Sequence, residues 1–145
     1  MMKTTFFETD YCVVALLPQL RTVFIDWKDF PGAANFRTGM DKIIEAMVES
    51  GFTKVLSDTT RLGAIAPEDQ EWSVVDWNPR ALAKGFSAIA LILPQDAFAQ
   101  FSIDEVMQNA SEAQEGRTLQ GFFDSMAAAE TWLAGAGNVS PIKQN

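Results

Sequence analysis

Hydrophobic and polar positions along the chain fall into runs with distinct periods. Residues 11–17 are apolar throughout and Pro18-Gln19 marks a turn. Residues 22–28 then set Val23, Ile25 and Trp27 against Phe24 and Asp26. The short connection predicts an antiparallel hairpin, which Pro31-Gly32 ends. Phe36, Met40, Ile43, Ile44, Met47 and Val48 follow the spacing of one helical stripe, with Asp41, Glu45 and Glu49 on another side and Gly51 as the stop. Residues 53–60 (TKVLSDTT) predict a third strand. Residues 87–93 (SAIALIL) predict a fourth, apolar enough to lie centrally. Between them, PEDQEWSVVDWNPRALAKGF (67–86) predicts a helix that Pro67 and its acids start, Pro79 bends by pushing Asn78 from helical angles, and Gly85 ends. Ser102 and Glu105 have the spacing of a capping box for a helix to about Ala113. Residues 118–123 predict a fifth strand, and Ser125 caps a last helix on which Ala129, Trp132 and Leu133 share a face.

The order β-β-α-β-α-β-α-β-α calls for right-handed parallel crossovers after the hairpin. The expectation is an α/β domain over 1–134 with a mixed five-stranded sheet and four main helices, followed by a tail, 135–145. At 145 residues the chain suits one domain, and 48% hydrophobic with 21% charged residues is an ordinary globular composition. No apolar run reaches the length of a membrane span, and the first residues lack the long apolar stretch of a signal peptide.

Charge and residue inventory narrow the chemistry. A net charge of −8, with Lys54, Arg61, Arg80 and Lys84 scattered, argues against nucleic acid and against an anionic membrane surface. There is no histidine, so no Ser-His-Asp or Cys-His arrangement exists. Cys12 is the single cysteine, which rules out an internal disulfide, suits a reducing cytoplasm and reads as an inert buried thiol. No P-loop or G-x-S-x-G is present, and no metal or other cofactor is expected. Glu68, Asp69 and Glu71 leave a carboxylate-dependent hydrolase as a third-ranked reading, since acids in a first turn are explained by the helix dipole. Thr59 and Thr60, after Asp58 at a strand end, are candidate phosphoacceptors; the alternative is that they bond the loop backbone.

This element order, with TKVLSDTTRL on the third strand and LQGFFDSMAAAETWL at the end, resembles the STAS domains, the anti-sigma-factor antagonists and their relatives. The likeness is to a divergent bacterial branch of stand-alone proteins with the pattern SPEDQEWxxxxWxPRAxxxG. Ala66 stands here in place of the serine, while PEDQEW, Trp77, Pro79-Arg80-Ala81 and Gly85 match. The resemblance covers roughly residues 10–134. It implies a non-enzymatic interaction or signalling module, self-associating as a homodimer or binding a protein partner, and the cytoplasmic address expected for it comes from the single cysteine and the first residues. The family's Asp-Ser-[Ser/Thr]-Gly phosphorylation motif is absent from DTTRLGAIAPEDQ. A grouping of the fold with lipid-exchange domains implies, as the alternative, a carrier of a small apolar or lipid-like ligand. Trp72, Trp77, Arg80 and Glu71 are the expected contact residues. On a regular helix the two tryptophans lie about 140° apart, so one can lie on the sheet, while the other either faces an adjacent helix, a second subunit or a ligand, or is core as well, under the loop at 95–101.

Overall fold

The computed structural model describes residues 2–136. Six strands lie side by side in chain order: β1 (Thr4–Glu8), β2 (Cys12–Leu17), β3 (Thr22–Trp27), β4 (Lys54–Asp58), β5 (Ala88–Ile92) and β6 (Leu119–Phe123). β1, β2 and β3 pair antiparallel, and β3 through β6 pair parallel. The helices are α1 (Gly32–Ser50), α2 (Pro67–Trp72) and α3 (Asn78–Ala83) joined by a π-helical turn (Ser73–Trp77), α4 (Ala97–Gln114) and α5 (Met126–Ala136). Among these residues no helix is long and apolar enough to cross a membrane.

The topology fixes the layers. Right-handed crossovers between parallel strands added in sequence put every crossover helix on the same face. α1, the 67–83 run and α4 accordingly cover one face, where Phe36, Ile43, Trp77 and Ile103 pack on Val23, Ile25, Trp27 and Leu91. α5 follows the last strand and packs Ala129 and Leu133 on the other face, against Phe24, Leu56 and Ala90. The period-two pattern of β3 divides Val23, Ile25 and Trp27 from Phe24 in this way. The five residues of β5 are all buried, as their apolar run predicts.

The sheet has six strands rather than the five expected from sequence. The extra one is β1, TTFFE, which lacks clean alternation. Its register with β2 shifts between Thr5 and Phe7, and the irregularity lets both Phe6 and Phe7 pack against the same core. A bulged edge strand hides the period on which the sequence reading relies. α5 also extends to Ala136, so Gly135 and Ala136 of the expected tail are helical; 137–145 lies outside the described residues.

Three local expectations change. α4 starts at Ala97, where Asp96 Oδ2 accepts from the Ala99 amide at 3.3 Å. Ser102 is therefore not a cap. It lies buried inside the helix, donating to Ala99 O and accepting from the Ile65 amide at 3.0 Å, which pins the 59–66 loop. Val48 leaves the apolar stripe of α1 and is exposed, while Phe36, Ile43, Ile44 and Met47 are buried. Asn78 keeps helical angles (φ −59°, ψ −49°) before Pro79. The irregularity sits one turn earlier, in the π turn, where the Asn78 amide bonds Ser73 O. A proline ring clashes with the carbonyl four residues back in a regular helix, and the wider turn removes that clash.

The remaining boundaries follow the sequence. Gly51 is left-handed and its amide closes on Met47 O at 2.8 Å. The Ala128 amide donates to Ser125 Oγ at 3.2 Å. Gly39 permits the closest helix–sheet approach: a Cβ there would lie 2.6 Å from Trp27 Cη2.

Candidate functional site

The two tryptophans of the 67–83 run face the same neighbour. Trp77 is buried and its indole N–H donates to Met40 O at 2.7 Å, with Phe86 edge-on at 5.4 Å. Trp72, half-buried, meets Phe36 edge-on at 6.3 Å. Phe36 and Met40 are one turn apart on α1. Bonding of residue i to i+5 in the π turn stacks residues five apart, so Trp72 and Trp77 rest on successive turns of α1. The expected divergence of about 140° assumed an uninterrupted helix of 3.6 residues per turn.

Trp72 ends an aromatic column that starts on the sheet. Trp27 of β3 stacks on Phe36 at 5.5 Å, and Phe36 supports Trp72. The Arg37 and Arg80 guanidinium groups lie 5.2 and 5.8 Å from the Trp72 ring centroid, within cation–π range. Each arginine is held in turn. Arg37 Nε reaches the buried Asp69 at 3.0 Å, and Arg80 bonds Asp41 and Asp76 at 2.8 Å each. Hydrogen bonding to Asp41, opposed by slight burial and reinforced by Asp76, raises the pKa of Arg80 above its usual value. Beyond this cluster, Glu71 is exposed and Val75 is 69% exposed. The result is an immobilised tryptophan rimmed by fixed charges of both signs.

The spacing of Asp69, Ser73, Asp76 and Arg80 would put them on one side of a regular helix, but that side is split. Asp69 and Ser73 turn inward, with Ser73 Oγ donating to Asp69 O, and only Asp76 and Arg80 stay outside. Arg37, Asp41 and their partners carry no sequence signal, because they lie 32 and 39 positions from Asp69 and Arg80.

A second feature lies beneath this run. A cavity of about 70 Å³ lies between the sheet and the helices, lined mainly by apolar side chains such as Trp77, Phe86, Ile89 and Met107. Outside it, a cleft of about 340 Å³ runs between α3 and the end of α4, lined by Val74, Leu82 and Arg117 among others. Asn78 and Gln114 line both spaces. Asn78 is buried, and its Oδ1 has no hydrogen-bond partner among the described residues. Sequence reading gave Asn78 no role beyond its place before proline.

The other candidates separate. Thr59 is buried and donates to Ile92 O at 2.6 Å, a position that withholds it from a kinase. Thr60 is exposed, and its hydroxyl and amide both bond Asp58 Oδ1. Glu68 and Glu71 are exposed whereas Asp69 is buried on Arg37, so the three acids do not converge. Burial raises the Cys12 thiol above its usual 9.0, with Thr9 and Lys28 acting in the opposite sense and Asp26 adding to the rise. No family model, curated protein or solved structure matches the chain.

Proposed function

We propose that this chain is a non-enzymatic, STAS-like interaction module of the cytoplasm that self-associates through the surface centred on Trp72. The STAS-like assignment rests on the strand–helix alternation after β3 and on the 67–86 pattern. One observation carries the contact surface: an indole braced from the sheet through Trp27 and Phe36, with its rim occupied by Arg37, Arg80, Asp41 and Asp76. Tryptophan and arginine dominate binding hot spots because they bury much area with few rotors, and here the rotors are already fixed. A two-fold contact presents a patch to itself. Two arginines and two exposed aspartates on one rim satisfy that requirement, since each sign meets its opposite across the axis. Trp72→Ala should abolish self-association while thermal melts still show a cooperative transition; light scattering reads the first and circular dichroism the second. Unchanged association in a folded Trp72→Ala protein would contradict the proposal.

The cavity favours a second reading, a carrier for a small apolar ligand. Its volume is about 70 Å³, under half the roughly 150 Å³ of an engineered void that admits benzene. A full acyl chain does not fit it, and a ligand with only a short apolar end does.

A further inference from the structure

The two edges of the sheet differ. β1 is interrupted by its bulge and ends on Glu8, two devices that discourage a further strand. β6, at the other edge, has neither: Leu119-Gln120-Gly121-Phe122-Phe123 carries no charge and no proline, and its register with β5 is unbroken. The Leu119 amide donates to Ser87 O at 3.0 Å, and Phe123 O accepts from the Leu93 amide at 2.9 Å. Backbone groups alternate in direction along a strand, so Leu119, Gly121 and Phe123 face β5, while Gln120 and Phe122 aim N–H and C=O outward. Among the described residues no strand pairs with that side. The edge is also held in place. Gln120 Nε2 donates to Met107 O at 3.0 Å on one face, and on the other the Phe123 and Trp132 rings close over Gly121. The Phe122 side chain, by contrast, is 43% exposed.

Charge selects what can lie there. Residues 96–136, which comprise β6 and its flanking helices α4 and α5, contain seven Asp and Glu residues and one base, Arg117, a net −6 of the chain's −8. Two copies joined through β6 would bring these acidic units together, which disfavours self-pairing. We propose that the β6 edge binds an extended, basic segment of a partner protein, which adds as a further strand and sets an apolar side chain against Phe122. Gln120 and Phe122 supply two donors and two acceptors, and a strand already fixed on both faces loses little freedom on pairing. This surface shares no residue with the Trp72 patch and goes beyond the self-association proposed there.

The test is a ¹H–¹⁵N NMR titration of the full chain with the peptide acetyl-Lys-Val-Lys-Val-Lys-Val-Lys-amide. Saturable shifts are expected at the Gln120 and Phe122 backbone amides, with valines opposite them. N-methylation of the valines removes the donors that reach β6 and should weaken binding about tenfold or more. N-methylation of the internal lysines, whose amides face away, should change it less than about threefold. A peptide with glutamate for lysine should not bind. Phe122→Pro removes one outward donor at a position that an edge strand tolerates, and should weaken binding about tenfold. Equal binding of the two N-methylated peptides, binding of the glutamate peptide, or no saturable shift at millimolar peptide overturns the proposal, whether or not Phe122→Pro folds. Dimerisation lost in a folded Phe122→Pro protein would give the edge to a second copy and overturn it as well. Trp72→Ala should bind the peptide as wild type does, so a monomeric wild type that binds it contradicts the Trp72 reading and leaves this one standing.

Discussion

Trp72 and Trp77 differ by five positions and by almost everything else. Trp77 is a core residue whose N–H has a carbonyl partner on α1, so Trp77→Ala should cost about 3–5 kcal/mol in denaturant melts. Trp72→Ala removes a half-buried ring and should cost about 1–2 kcal/mol, a smaller fraction of the same transfer and cavity terms. Cys12 gives an independent check on the core. The folded thiol keeps its proton above the usual 9.0, where the unfolded thiol loses it, so the unfolded state binds fewer protons there and stability falls as pH rises through that window. The difference in unfolding free energy between wild type and Cys12→Ala should therefore shrink above pH 9. A thiol reagent at pH 8 should label Cys12 only on denaturation. The burial of Cys12 was legible in its apolar strand. Which tryptophan faced outward was not, since that depends on the pitch of the backbone between them.

Elements whose signals are local were largely read correctly. The α1 stripe apart from Val48, the glycine stop at Gly51, the cap at Ser125 and the apolar β5 each depend on residues within one or two turns. Elements that depend on distant partners were missed or displaced. β1 needs β2 to reveal it, and its bulge conceals the alternation. The Ser102 motif has the spacing of a cap, but the helix begins earlier at Asp96 and Ser102 serves the 59–66 loop instead. The docking of α1 makes a sharp prediction. Gly39→Ala puts a methyl 2.6 Å from the Trp27 ring, and the resulting shift should destabilise the fold by about 1–3 kcal/mol. Because Trp27 also supports Phe36 and Trp72, the same change should weaken self-association in excess of its effect on stability.

At the scale of the whole molecule, the parallel sheet in sequential order places three helical elements on one face and leaves one helix for the other. The alternation of strands and helices predicted parallel crossovers but not the sequential strand order, which places Trp72 at the seam between α1 and α2. Of the charged rim that gives the seam its proposed role, only the Arg80–Asp76 pair has a local spacing; the Arg37–Asp69 and Arg80–Asp41 pairs were invisible in sequence, because they join residues more than thirty positions apart. If the rim supplies complementarity between copies, raising the salt from 0.05 to 0.5 M should weaken association as charges are screened. The most direct measurement is sedimentation equilibrium of wild type and Trp72→Ala over a concentration series at fixed salt. The proposed function predicts a concentration-dependent dimer for wild type and a monomer for the folded variant. A monomeric wild type, or a variant that dimerises as wild type does, would contradict it.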